Sequence, residues 1–361
     1  MTQYGRGDTT EIWVPAGLNN RSTPVVLGLH KDPWNNTGVA FVAGDSNGGR
    51  VIAHANLERF NREKSSRAFP ANSVAACVAE VGLNSPQATD FVLVHWSMSD
   101  AGWEQDFRRN PCRTDVLLAQ LAPDRIVRVK HHQCHAAATF FTSPFEKAAV
   151  LVVDDRCPNY EIQTLWLGEG NQPELVAETA DVGICLMYEA ITRWIGFGPF
   201  EAGKTMSMAP FGRTQAPLAV SLVGNFNSIF TDYGHLYGTN DEILLEDPKP
   251  PSFNERARYV QTVQKECERA MLHLAKWAKD YTGLDSLCLG GGIDLNGVAN
   301  YKIRRPHLST SLFVNFDCSE SGVALATALW DLHGVLDMHR SLEFVPPYTR
   351  SRYSLDESRV P

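Results

Sequence analysis

The pattern of apolar and polar positions predicts short buried strands that alternate with helices along most of the chain. Apolar runs of four to eight residues are typical of strands, and apolar residues at helical spacing are typical of amphipathic helices. The first half shows three strands, a helix, a strand, a second helix and a final strand. Their predicted ranges, in that order, are 25–29, 38–43, 50–57, 71–81, 90–95, 115–121 and 125–129.

A similar order returns in the second half of the chain, where three strands again precede an amphipathic helix. A long helix, a strand that runs into three glycines, another strand and a last helix follow. One stretch, 225–254, is rich in Pro, Gly and Asn and predicts loop with one short hairpin. The predicted strands are 148–153, 161–167, 174–178, 286–289 and 312–316, and the predicted helices are 184–195, 256–281 and 321–334.

Two successive units of three strands and a helix predict a duplicated, two-lobed α/β architecture. This is the organisation of the actin and sugar kinase superfamily (the ASKHA fold), in which a nucleotide cleft lies between the lobes. We expect the first lobe at 1–147, with a lead-in to about residue 22, and the second lobe at 148–338. Residues 339–361 predict a tail or linker.

Composition and charge narrow the function classes. The chain has 361 residues, 43% of them hydrophobic, and a formal net charge of -8 without a long basic run. This balance argues against a nucleic-acid partner. No apolar stretch approaches the roughly 20 residues that span a bilayer, so no membrane partner is expected. The polar N-terminus lacks a signal-peptide pattern, and the eight cysteines form no CxxC pair. We therefore expect a cytoplasmic protein.

A candidate metal site lies between Lys130 and Asp155. His131 and His135 are one turn apart on one face of a predicted helix, and Asp154 ends the following strand. Two imidazoles and a carboxylate suit a transition metal. Two histidines at this spacing are also common on helix surfaces without any ligand, so both interpretations stay open.

Two further segments predict ligand binding. Residues 290–300 (GGGIDLNGVAN) form a strand-to-helix junction where glycines allow close backbone approach, and Asn296 and Asn300 lie one turn apart. In a predicted loop, Gly203 and Lys204 suit a phosphate contact. A tight turn and a solvated lysine are the simpler interpretations. Glu320, at the start of the last helix, is either a fourth metal ligand or a helix-start acid.

Taken together, these segments resemble the NodU-type O-carbamoyltransferases, a family that includes nodulation-factor and antibiotic carbamoyltransferases. LERFNREKSSRAFP resembles the family's EERFTRxK…FP, and HHQCHAAATFFTSPFEKAAVLVVDD resembles HHxxHAAxAFxxSPFxxALVLxxDG. The segment ending in EAGKTMSMAPFG is similar to EGKxMxLAPYG, GGIDLNGVANYKI to GGxxLNxxxNxxI, and FDCSESGVALATALW to the closing DSGxAxGAA. The order is colinear from about Val25 to Trp330. The family is also similar to the threonylcarbamoyl-transferring enzymes of tRNA modification.

The resemblance implies one transition metal, most often iron, which polarises the carbonyl of a carbamoyl-adenylate. A hydroxyl or amine of a small natural-product acceptor then attacks that carbonyl, and AMP leaves. It implies that the nucleotide is ATP or AMP and that a separate YrdC-like activating protein is a possible partner. A homodimer is also possible. The implied metal ligands are His131, His135, Asp154 and Glu320. The implied nucleotide or carbamoyl-adenylate contacts are Glu201, Gly203, Lys204, Gly290, Gly291, Gly292, Asn296 and Asn300. The candidate catalytic residues are His30, Asn35, Asn36, His132 and Lys204.

The chain departs from the family pattern at several places. Glu320 replaces the aspartate of DSG, Asp155 replaces the glycine of DG, and Asn35 or Asn36 stands where the family has the histidine of HDSSA. Family members also continue into a YrdC-like domain, and the tail resembles only the start of that connection. Two alternatives therefore stay open: a repurposed ATP- or acyl-adenylate-using transferase or ligase, and a catalytically inactive nucleotide-binding scaffold for a biosynthetic partner.

Overall fold

The computed structural model of the protein describes most of the predicted elements. Asn35, the predicted helix at 115–121, the lead-in and nearly all of the predicted tail lie outside the described residues. The described residues are 24–30, 36–45, 48–66, 68, 70–82, 91–95, 126–155, 161–213, 222–226, 228–237, 252–304 and 311–341.

A five-stranded sheet forms the centre of the first unit. Its order is β3-β2-β1-β4-β5, with antiparallel pairing among the first three strands and parallel pairing of β1 with β4 and β4 with β5. The hairpin predicted at GDSNGG is confirmed by the register Asp45↔Gly48. The strands are β1 (Val25–His30), β2 (Gly38–Asp45), β3 (Gly48–Asn56), β4 (Phe91–His95) and β5 (Ile126–Val129).

The second unit repeats this sheet. Its order, β8-β7-β6-β9-β10, has antiparallel β6–β7–β8 and parallel β6–β9–β10 pairing, so each strand has a counterpart with the same neighbours and directions. The predicted duplicated α/β fold of the actin and sugar kinase class is confirmed. The strands are β6 (Lys147–Val153), β7 (Gln163–Glu169), β8 (Glu174–Thr179), β9 (Ser286–Gly290) and β10 (Ser311–Val314).

The helices follow the predicted apolar spacing, with one correction. Gly203 and Lys204, predicted in a loop, lie inside a short helix that follows Glu201. No helix among the described residues is both long and apolar enough to cross a bilayer. The helices are α1 (Glu58–Asn61), α2 (Ala71–Val81), α3 (His131–Phe141), α4 (Ile184–Trp194), α5 (Ala202–Met208), α6 (Phe253–Thr282), α7 (Gly297–Ile303) and α8 (Val323–Trp330).

The long helix α6 starts three residues before its predicted beginning because its first turn is capped. The hydroxyl of Ser252 accepts from the backbone N–H of Glu255, and the Glu255 carboxylate accepts from the backbone N–H of Ser252. This reciprocal capping box satisfies two donors that the helix itself leaves open. The predicted apolar stripe, which includes Val260, Val263 and Met271, is fully buried in the core of the second unit.

The chain divides into one unit of Met1–Phe141 with Ser321–Pro361 and another of Thr142–Glu320. This division differs from the predicted one at 147/148, because α8 packs on the sheet of the first unit. The contact is close enough that a Cβ on Gly28 of β1 would lie 2.0 Å from the carbonyl oxygen of Ala324. Helix α8 therefore belongs with β1 in space, although about 300 residues separate them in sequence.

Gly28→Ala is expected to destabilise the protein by about 3 kcal/mol, since β1 or α8 must shift to make room for the methyl group. Gly297→Ala is the matched control, because nothing lies within 4 Å of the added Cβ and the backbone there is not left-handed. The control should change stability by less than about 1 kcal/mol. Urea unfolding of both variants checks the difference, and equal midpoints would contradict the α8–β1 packing.

Candidate functional site

The paired histidines lie at the start of α3, directly after β5. His131 is 7% exposed and His135 is 2% exposed, so the pair is buried rather than on a solvated helix surface. Their Nε2 atoms are 3.1 Å apart, and the rings meet edge to face with centroids 4.6 Å apart. The one-turn spacing predicted from the sequence therefore brings the two ring nitrogens to one point.

Contacts at both ends of α3 hold this pair in place. The Cys134 thiol lies 4.0 Å from the carbonyl oxygen of Val129 at the end of β5. At the other end, the buried guanidinium of Arg340 donates from Nη1 to the carbonyl oxygen of Phe140 at 2.7 Å and lies 4.0 Å above the Phe140 ring. A cation at a helix C-terminus is favoured by the helix dipole, so Arg340 both caps and anchors the histidine helix.

The predicted catalytic residues of the first unit are partly described. His132 is completely buried, with its ring centroid 6.0 Å from that of His131. His30 ends β1 with 1% exposure, and its backbone pairs with His95 and Gly38 in the neighbouring strands. Asn36 precedes β2 with a φ of 43°, a left-handed conformation that asparagine tolerates better than most residues.

Asp154 lies at the end of β6 in the second unit and is 5% exposed. Its Oδ1 accepts from the backbone N–H of Asp155 at 2.9 Å and of Gly292 at 3.1 Å. Gly291 has a φ of 103°, and a Cβ there would meet the carbonyl oxygen of Val153 at 2.3 Å. The glycines after β9 therefore let that loop close onto Asp154. A carboxylate oxygen of Glu320, also in this unit, lies within 4.8 Å of one from Asp154.

Several acidic side chains lie close together in this part of the second unit. Burial raises the pKa of Asp155 to about 7, and the charges of Asp154 and Glu189 add to the shift. Burial also raises the pKa of Asp294 well above its ordinary value, again with a contribution from the charge of Asp154. Neighbouring carboxylates in a poorly solvated region disfavour each other's ionisation, because their negative charges repel. The region is therefore electrostatically suited to a cation.

The two asparagines of the glycine-rich segment have different surroundings. Asn296 caps α7 through the backbone N–H of Ala299, and its amide group exchanges hydrogen bonds with Gln264 of α6. Asn300 donates from Nδ2 to the backbone carbonyl of Asp294 at 2.6 Å, while its own Oδ1 is buried. Asn296 is thus held inside the unit, and only Asn300 retains an acceptor that the fold does not use.

The predicted phosphate-binding lysine is at the surface. Lys204 is 58% exposed at its side chain, forms an ion pair with Glu201 one turn earlier, and lies 5.8 Å from the centre of the Phe197 ring. Glu201 also accepts from the backbone N–H of Gly198. The pair holds the lysine over the loop that precedes α5.

The sequence interpretation missed Asp294. It stands between Ile293 and Leu295 in the short 3-10 turn after β9 and is 3% exposed. A charged residue flanked by apolar ones in a segment predicted to contact a ligand was the available signal. Its depth depends on how β6 and β9 pair, which no local pattern reveals.

Comparison with known proteins places this geometry in a family. Residues 118–329 match the model of the family described as carbamoyltransferase N-terminus, which is more than half of the chain. The protein sll1178 of Synechocystis is 26% identical over 345 residues, covering 81% of this chain and 55% of that protein. The nodulation protein NolNO of Sinorhizobium fredii is 26% identical over 309 residues, covering 78% of this chain and 44% of NolNO.

The fold is similar to that of HypF from T. kodakarensis, with a TM-score of 0.50 at 12% identity over 86% of this chain and 48% of HypF. The chain thus spans about half the length of the relatives that it matches. The resemblance predicted from the sequence motifs is confirmed, since the match includes the histidine helix, the glycine-rich segment and most of α8. This protein belongs to the carbamoyltransferase family.

Proposed function

We propose that the chain transfers a carbamoyl group from carbamoyl-adenylate to a hydroxyl or amine of a small natural-product acceptor. In this reaction the acceptor oxygen or nitrogen bonds to the carbamoyl carbon, the bond from that carbon to the adenylate oxygen breaks, and AMP and a proton leave. The family match supports the reaction class. The observation that carries the proposal is the buried His131–His135 pair with its Nε2 atoms 3.1 Å apart.

We propose, from the family resemblance, that one metal ion, iron first among the candidates, has His131, His135, Asp154 and Glu320 as its ligands. The donor set fits such an ion, because two imidazoles and two carboxylates suit borderline divalent transition metals. Burial of Asp154 supports this fit, since a carboxylate at such depth needs a compensating charge. When bound, the metal would supply Lewis-acid polarisation of a carbonyl oxygen.

The chain's own residues would handle the proton and the nucleotide. His30 and His132 are the imidazoles proposed to accept the acceptor's proton, since imidazole changes protonation near neutral pH and the asparagine side chain of Asn36 is not basic. Lys204 is proposed to neutralise a phosphate, together with the glycine-rich segment after β9. The backbone N–H of Gly292 is already used by Asp154, so phosphate contacts there would come from other groups of the segment.

Lys204→Ala is expected to weaken AMP or ATP binding about tenfold, as for a charge-assisted phosphate contact worth roughly 1.5 kcal/mol. Lys276→Ala is the matched control, because Lys276 is similarly exposed and forms an ion pair with Asp280 within α6. Isothermal titration calorimetry should show the loss in the first variant alone. Equal affinity in both would remove Lys204 from the nucleotide site.

Production of the adenylate is proposed to fall to a separate YrdC-like activating protein. The motive is that the family match, at residues 118–329, concerns the carbamoyltransferase N-terminus, the part proposed to carry out the transfer. We expect no carbamoyl-phosphate-dependent release of pyrophosphate from ATP by this chain alone. Pyrophosphate release at a rate comparable to a YrdC-containing carbamoyltransferase would contradict this division of labour.

Mass spectrometry of products tests the function itself. Carbamoyl-adenylate supplied by such a partner should give a carbamoylated acceptor, 43 Da heavier by the added CONH2 less the lost hydrogen, and AMP in equal amount. A repurposed enzyme would release AMP or ADP without that product. An inactive scaffold would bind nucleotide and release neither. A cytoplasmic location is also proposed, since no disulfide joins any of the cysteines in the described part of the chain.

A further inference from the structure

Asp294 is a buried acid that the fold itself does not neutralise. Its side chain is 3% exposed, and neither carboxylate oxygen has a hydrogen-bond partner among the described residues. A buried carboxylate without donors costs several kcal/mol unless it meets a cation or takes up a proton. Such a group in a native protein calls for an explanation, and binding of a cation is one of the few available.

The surroundings of Asp294 favour a cation. The carboxylate of Asp154 is close enough to act on it electrostatically, and both acids act in the same way on the buried thiol of Cys318. Asn300 is fastened to the backbone carbonyl of Asp294 through its Nδ2, and its Oδ1 is buried without a partner within the described part of the chain. Three oxygen acceptors, two from Asp294 and one from Asn300, are thus unused in one short segment.

We propose that Asp294 and Asn300 bind a hard divalent cation, Mg²⁺ or Mn²⁺, within the second unit, with the negative charge of Asp154 adding to the attraction. Carboxylate and amide oxygens are the ligands that these ions prefer, and Mg²⁺ commonly uses one or two carboxylates and keeps several waters. The histidine pair of α3 contributes nothing to this set. The proposed ligands of this cation differ from those of the transition metal proposed above, the charge of Asp154 is all that the two sites share, and the cation does not depend on carbamoyl transfer.

The test uses Mn²⁺ as the probe on the 361-residue chain in a His135→Ala background, which removes a ligand of the other proposed metal. Electron paramagnetic resonance of free Mn²⁺ should reveal one saturable site per chain that Mg²⁺ competes for. Adding Asp294→Asn should weaken Mn²⁺ binding about tenfold or more, and adding Asn300→Ala should weaken it several-fold. If the Asp294→Asn protein does not fold, the loss of Mn²⁺ affinity in Asn300→Ala tests the site by itself.

Asp285→Asn is the matched control, because Asp285 is an exposed acid of the same unit that pairs with Lys279. Its Mn²⁺ affinity should equal that of the background. Equal Mn²⁺ affinity in the Asp294→Asn protein would overturn the proposal. Absence of saturable Mn²⁺ binding below about 1 mM in the His135→Ala protein would overturn it as well and would leave Asp294 as a protonated buried acid.

Discussion

Replacing His135 with alanine is expected to lower the affinity for the proposed transition metal at least tenfold and to abolish the proposed metal-dependent carbamoyl transfer. The imidazole is buried beside that of His131, with the two Nε2 atoms 3.1 Å apart. Loss even of groups that only orient a ligand costs about 10- to 100-fold in metal affinity, so loss of the ligand itself should cost no less. Elemental analysis of protein purified without chelator checks the metal content.

His339→Ala is the matched control for this experiment, because His339 is an exposed histidine of the same unit. It should retain metal and activity. Circular dichroism and thermal unfolding of both variants separate loss of metal from loss of fold. Full metal content in the His135→Ala protein would contradict the proposed ligand set.

Asp331→Asn is expected to stabilise the protein by about 2 kcal/mol at pH 8 and to have almost no effect near pH 4. Asp331 is completely buried in the π-helical turn Asp331–Val335 after α8, and neither carboxylate oxygen has a hydrogen-bond partner among the described residues. Burial alone raises its pKa from 3.8 to about 8. The amide of the variant is buried in the same place, but it does not have to hold a proton that the unfolded chain releases, so this pH-dependent cost disappears.

The sign follows from the two protonation states. The folded protein keeps the Asp331 proton up to about pH 8, whereas the unfolded chain releases it near pH 4. The contribution of Asp331 to the free energy of unfolding is therefore largest below about pH 4 and is lost as the pH rises towards 8. Urea unfolding at several pH values should show the advantage of Asp331→Asn growing over that range. Glu80→Gln, at an exposed position of the same unit, should show no such trend.

Much of the local structure follows from the sequence, because strand and helix periods are set by neighbouring residues. Predicting that His131 and His135 share one face needed only that the segment be a helix. Predicting the position of Asp154 needed only that an apolar strand end there. Both expectations agree with the structure, in which the two Nε2 atoms meet and Asp154 follows β6. The repeated order of strands likewise predicted two sheets of the same topology.

Long-range packing decided the rest. Helix α8 belongs to the first unit because Gly28 lets it lie against β1, a contact between residues about 300 positions apart. Asn296 and Asn300 look equivalent in sequence. In the structure, the amide of Asn296 is hydrogen-bonded to Gln264 of α6, whereas the Oδ1 of Asn300 has no partner among the described residues. Asp294 is an ordinary acid in the sequence. It becomes a buried, uncompensated one only because β6 pairs with β9 and brings Asp154 beside it, and burial of a charge is a property of the tertiary structure alone.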